Sequence, residues 1–182
     1  MVRRMIEGLV VLVALLTAAT LGAARLWPQP ESGFYWRIAA LMQTDGDLGP
    51  VDFVSFQRRN HPSDALTCPE RVCQKATPDD TAPIFEVPAA GLRRKVGLVA
   101  EAAPNTIELP CPADCGHAAR YVQFSAVFRF PDVIDVRVME AGAKGSTLAI
   151  YSRSVVGYGD WGVNKARIES WIEALKRITS SR

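Results

Sequence analysis

Residues 121–130, YVQFSAVFRF, carry the pattern that decides the fold: Val122, Phe124, Ala126, Phe128 and Phe130 alternate with Tyr121, Gln123, Ser125, Val127 and Arg129. A period of two predicts a half-buried β-strand. Pro131 and Asp132 interrupt it, and a second alternation follows, with Ile134, Val136 and Val138 set against Asp135, Arg137 and Met139. The glycine-bearing stretch Ala141 to Gly145 reads as a turn into a third strand, Ser146 to Tyr151, and Thr106 to Leu109 adds a fourth.

Helical periodicity flanks these strands. From Pro88 to Ala102, Leu92, Val96 and Val99 share one face while Arg93, Arg94 and Lys95 fall off it, and proline suits a first turn. From about Val163 to Thr179, Ile168, Trp171, Ile172, Leu175 and Ile178 make one apolar stripe. Short turns between strands favour an antiparallel meander, so the expected fold is α+β: about four antiparallel strands packed by the earlier helix and the long C-terminal helix. Residues 28–83, with most of the prolines, read as an irregular strap before the globular domain at 84–182.

Residues 1–27 are expected to be a membrane anchor or signal segment. Gly8 to Ala24 is uncharged and preceded by Arg3 and Arg4, a stretch at the lower limit for spanning a bilayer. Trp27, Tyr35 and Trp36 are amphipathic rings suited to a membrane interface and favour an uncleaved transmembrane helix; cleavage before Arg25 is the alternative. The expected location is the bacterial inner membrane, single pass, with the domain in the periplasm, or secretion to the periplasm after cleavage. The chain has 21 basic and 19 acidic residues, and setting aside Arg3, Arg4, Arg25 and Glu7 leaves 18 of each. A neutral domain lacks the charge that displaces counterions from phosphates, which argues against a nucleic-acid partner.

Export bears on the cysteines. Cys68 and Cys73 form CPERVC, and Cys111 and Cys115 form CPADC. An even number of thiols in an oxidising compartment favours disulfides, with three connectivities open. Zinc held by these cysteines and His117 fits the spacing less well, and no cofactor or metal is expected.

The segment richest in site chemistry is SRSVVGYGDWGVNKAR, Ser152 to Arg167. One reading is an anion pocket in which the helix N-terminus, Arg153, Lys165 and the serine hydroxyls receive a phosphate or carboxylate; the ligand candidates are Arg153, Ser154, Asp160, Asn164 and Arg167. Against it, Asp160 is placed to cap the helix and repel an anion. The other reading is a structured turn, with Gly157, Gly159 and Gly162 supplying unusual backbone angles, Asp160 or Asn164 capping, and Arg153 or Arg167 pairing with Asp132 or Asp160. There is no HExxH, GxSxG or dinucleotide fingerprint, and the two histidines, His61 and His117, sit in loop-like sequence. No catalytic residue is assigned, and Ser152 or Ser154 acting with His117 lacks anything local to activate a nucleophile.

VDF from Val51, DALTCP from Asp64, Cys73, FPDVIDV from Phe130 and SRSVVGYGDWGVNKARIE from Ser152 together resemble the family called domain of unknown function 1499, found in bacteria and plastids. Its members commonly carry export or membrane segments, so the resemblance implies a periplasmic or lumenal α+β domain and transfers no catalytic residues. Val155 departs from relatives that often carry another arginine after SRS, which implies a weaker cationic cluster here. The function expected is a membrane-tethered binding or interaction module, accessory to an inner-membrane assembly or an envelope ligand, with a membrane-protein partner. The alternative is an enzyme or lipid-handling domain with a pocket between sheet and C-terminal helix, floored by Phe124, Phe128 and Trp171 and gated by Arg153, Asp160 and Asn164.

Overall fold

The computed structural model describes residues 49–58, 62–110, 115–127, 129–143 and 145–180. The apolar N-terminal segment, His61, Cys111 and Phe128 lie outside them. Among the described residues no helix is long and apolar enough to cross a membrane.

The meander read from the alternations is present as β3 (Thr106–Glu108), β4 (Ala118–Phe124), β5 (Pro131–Ala141) and β6 (Gly145–Ser154). Each pairs antiparallel with the next. The β5–β6 turn depends on a residue without a side chain, because a Cβ at Gly145 would lie 2.9 Å from the carbonyl oxygen of Ala141. The helices also lie where periodicity places them: α1 (Ala89–Ala102) and α2 (Val163–Ser180).

The expectation of about four antiparallel strands is corrected to a six-stranded mixed sheet of order β2-β1-β6-β5-β4-β3. The two added strands come from the stretch read as irregular: β1 (Asp64–Cys68) pairs antiparallel with β6, and β2 (Asp80–Thr81) pairs parallel with β1. β1 shows no alternation because Ala65, Leu66, Thr67 and Cys68 are all buried. β2 is two exposed residues whose approach is fixed by Asp79, which accepts from the Leu66 amide at 2.8 Å and donates its own amide to the Leu66 carbonyl.

The half-buried reading of the Tyr121 strand is corrected as well. Both faces of the sheet are covered. On one face α1 and α2 pack Leu92, Val96, Ile168, Trp171 and Leu175 against Ala119, Tyr121, Ile134, Val136, Leu148 and Ile150. On the other, Phe53 and Ala76 close over Leu66, Cys68, Ala149 and Tyr151, with Val51 and Phe56 at the margin. Strands buried on two sides read as near-continuous apolar runs. The strand also stops early, at Phe124, because residues 125–130 turn into β5: the Ser125 amide donates to the Phe130 carbonyl at 3.0 Å, and Arg129 takes a positive φ of 57°.

Two side-chain links set α1 against the rest. Arg93 donates to the Ala118 carbonyl and the Tyr121 hydroxyl, and Lys95 Nζ reaches the Ile178 carbonyl of α2 at 2.6 Å. Burial against α1, with Arg93 opposing, pushes the Tyr121 phenol up to about 12. Cys68 and Cys73 form a disulfide, a pairing found only in the connectivity with local loops. Cys115 is also disulfide-bonded, and its partner lies outside the described residues.

Candidate functional site

A row of polar side chains crosses the helix-covered face at one end of the sheet. Pairing sets Thr106 opposite Gln123, Gln123 opposite Asp132 and Asp132 opposite Ser154, and the Ser154 amide donates to the Ser63 carbonyl at 2.9 Å. Since side chains two apart on a strand share a face, Ser152 falls on the same side as Ser154. Above this row the first turn of α2 lowers Asn164, wholly buried, and Arg167, which is 9% exposed.

Arg167 is fully occupied. Its Nη2 pairs with Asp132 Oδ2 at 2.5 Å, its Nε donates to Gln123 Oε1, and its Nη1 donates to Ser152 Oγ at 2.9 Å and to Asn164 Oδ1. The Asn164 amide group donates to the Ser63 carbonyl and to Ser154 Oγ, each at 3.0 Å, and to Asp160 Oδ2 at 2.6 Å, while its oxygen also accepts from Ser152 Oγ at 2.6 Å. A planar fork and a planar amide thus tie three strands, a loop and a helix together. A buried polar network with every member satisfied rigidifies a fold, and each of these side chains would be costly to leave unpaired.

Asp160 closes the network at the surface. Its Oδ2 accepts from the Asn164 amide at 2.8 Å and its Oδ1 from the Gly162 amide at 2.9 Å, so its carboxylate occupies the positive end of α2. Arg167 pairs with Asp132 and Asp160 caps the helix, two of the pairings that the structured-turn reading allowed. Asp160→Ala should lower stability by about 1 kcal/mol through loss of the cap, with faster hydrogen exchange at the Gly162 and Asn164 amides as the local signature.

The ligand candidates do not form one cluster. Ser154, Asp160, Asn164 and Arg167 come together, but Arg153 lies on the opposite face of the sheet, between Asp64 and Val133 on the neighbouring strands, and is 1% exposed. Lys165 is exposed beside Asp80 and Glu169. Phe124 packs with Val122 and Leu109 on the face away from Trp171, which sets it apart from the pocket floor proposed for it. His117 is near the other end of β4, with its carbonyl bonded to the Val138 amide, and does not meet Ser152 or Ser154. Val155 is buried against Val133 and Val156.

The opposite face has its own charged row. Arg120 Nε meets Asp135 Oδ1 at 2.9 Å, both buried, and the Tyr151 hydroxyl donates to Asp64 Oδ2 at 2.6 Å while Arg58 bridges Asp64 and Asp79. Burial raises the Asp135 carboxyl above its usual value, with Arg120 and then Arg153 opposing. An acid whose folded pKa is raised binds more protons in the native state, so its contribution is fully present below the unfolded value and fades as pH rises through the folded one. Asp135→Asn should therefore flatten a decline in stability that begins at about pH 4, measurable by urea unfolding at stepped pH.

Residues 63–175 match the family model described as protein of unknown function, DUF1499. The chain belongs to this family. Within the DUF1499 match fall all six strands and α2 as far as Leu175, and it opens on Ser63, whose carbonyl is one terminus of the polar network. No curated protein matches the chain.

Sequence reasoning missed Ser63, Gln123 and Thr106. The signal for Gln123 was its parity: it shares a strand face with Tyr121 and adjoins Asp132 across a short hairpin. Also missed was how the loop above the network is presented. Trp161 is 100% exposed and Tyr158 is 75% exposed, on a loop held from beneath by Asp160.

Proposed function

We propose that this DUF1499 protein is a membrane-tethered periplasmic binding module that works through its surface, with the loop end of the sheet as its recognition face. The observation that carries this reading is the contrast between a satisfied interior and exposed aromatics directly above it. Arg167, Asn164 and Asp160, the residues best suited to hold a ligand, spend their hydrogen bonds on Asp132, Gln123, the serines and the helix end. Where Arg167 and Gln123 reach the surface they border an open groove of about 520 Å³ between α1 and α2, whose floor is filled by Trp171. A reaction site needs polar groups aimed at an enclosed substrate, whereas these are aimed at one another. The anchor-like segment before the domain supports action close to a bilayer.

The test is cross-linking in intact envelopes followed by purification of the full chain. The chain should remain with the membrane after alkaline extraction and carry lipid or protein adducts above background. Recovery in the soluble periplasmic fraction with no adduct would overturn the reading.

A further inference from the structure

We propose that the loop end of the sheet docks on the phospholipid bilayer itself, with Trp161 and Tyr158 seated in the interfacial layer; this rests on the surface-binding reading and names its partner. The β4–β5 hairpin, the β6–α2 loop and the start of α2 all open at the end of the sheet where Gln123, Asp132 and Ser154 are aligned. That end displays Val127, Phe130, Tyr158, Trp161 and Val163, all exposed. Single exposed apolar residues are ordinary on a soluble domain, but a group gathered on one end marks a contact surface.

The form of the surface favours a bilayer over a folded partner. These side chains project from loop tips and a helix start, and an interface of lipid headgroups receives projecting side chains without a matched cavity. Tryptophan and tyrosine have the apolar body and polar tip that such a layer solvates at both ends. The charges agree. Asp160, the acid of the β6–α2 loop, turns inward to the Gly162 and Asn164 amides, which leaves Arg129 on the hairpin near the tips, a sign suited to anionic headgroups, while Lys165 on α2 is already paired with Asp80 and Glu169.

The loop is also prepared for contact. Trp161 adopts a positive φ of 55°, uncommon for a bulky residue, and is braced by the Val163 amide on the Asp160 carbonyl at 3.1 Å. A backbone already braced in this geometry loses little freedom when its side chain inserts. The contact can be weak and still be populated, since residues 25–48 span at most about 80 Å when extended, and a tether of that reach holds the domain at high effective concentration against its own membrane.

The experiment uses the full chain in vesicles of phosphatidylethanolamine and phosphatidylglycerol, with Trp27→Phe and Trp36→Phe so that Trp161 and the buried Trp171 are the only tryptophans, excited selectively over tyrosine. Acyl-chain-brominated lipid should quench the Trp161 share of the emission, aqueous iodide should quench little, and Trp161→Phe should abolish the bromolipid effect. Emission from Trp161 that ignores bromolipid and remains open to iodide overturns the proposal. If cross-linking in intact envelopes nevertheless yields protein adducts, the surface-binding reading stands and only the lipid assignment falls; if it yields none, both fall.

Discussion

Arg167→Ala should lower the unfolding free energy by about 3–5 kcal/mol, the cost of removing one partner of a buried ion pair. Asp132 would keep a charge in a site where it is 7% exposed, and Gln123, Ser152 and Asn164 would each lose a donor. Arg167→Lys should recover only part of the loss, because an ammonium keeps the charge but cannot satisfy Asp132, Gln123 and Ser152 from one planar fork. Urea unfolding followed by circular dichroism measures both. A loss below about 1 kcal/mol for the alanine variant, the level of a surface ion pair, would mean that the network does not hold the sheet to α2.

Trp171→Ala should cost a comparable amount, about 3–5 kcal/mol. Trp171 is 3% exposed and packs edge-on against Tyr121 of β4, ring centres 5.5 Å apart. The side chain therefore fills the space in which a pocket between sheet and helix would have to exist. Removing it creates that pocket, bordered by the groove between α1 and α2. Added indole should raise the melting temperature of the variant and leave the wild type unchanged, since a ligand stabilises only a state that offers it a cavity.

What could be read in advance follows from how each element is buried. The α2 stripe was legible because one side of a helix faces water, and Ile168, Trp171, Ile172 and Leu175 are all on the buried side. β5 was legible through its alternation, and β6 through the glycine-bearing turn that precedes it. β1 was hidden because four consecutive buried residues, Ala65 to Cys68, leave no period to detect, and β2 because two residues held by the side chain of Asp79 carry no pattern. The alternation through residues 125–130 was misleading: it continues past the point where Arg129 turns the chain.

At the candidate site, strand parity already separates Arg153 from Ser152 and Ser154, so the supposed cluster could have been divided from sequence alone. Choosing between Arg153 and Arg167 as the partner of Asp132 required knowing that α2 lies on the Ser152 face. The contribution of Ser63 was beyond reach, because it enters through a backbone carbonyl far along the chain from Asn164.

The most direct test is a photo-cross-linking amino acid placed at Trp161 of the full chain in its native membrane, compared with the same group at Ile84. Both positions are exposed, but Ile84 lies beside Gly145 at the β5–β6 turn, the end of the sheet opposite the β6–α2 loop. Adducts are expected from position 161, with little from position 84. Equal labelling at the two positions, or adducts from position 84 alone, would contradict the claim that this protein works through the loops above its polar network.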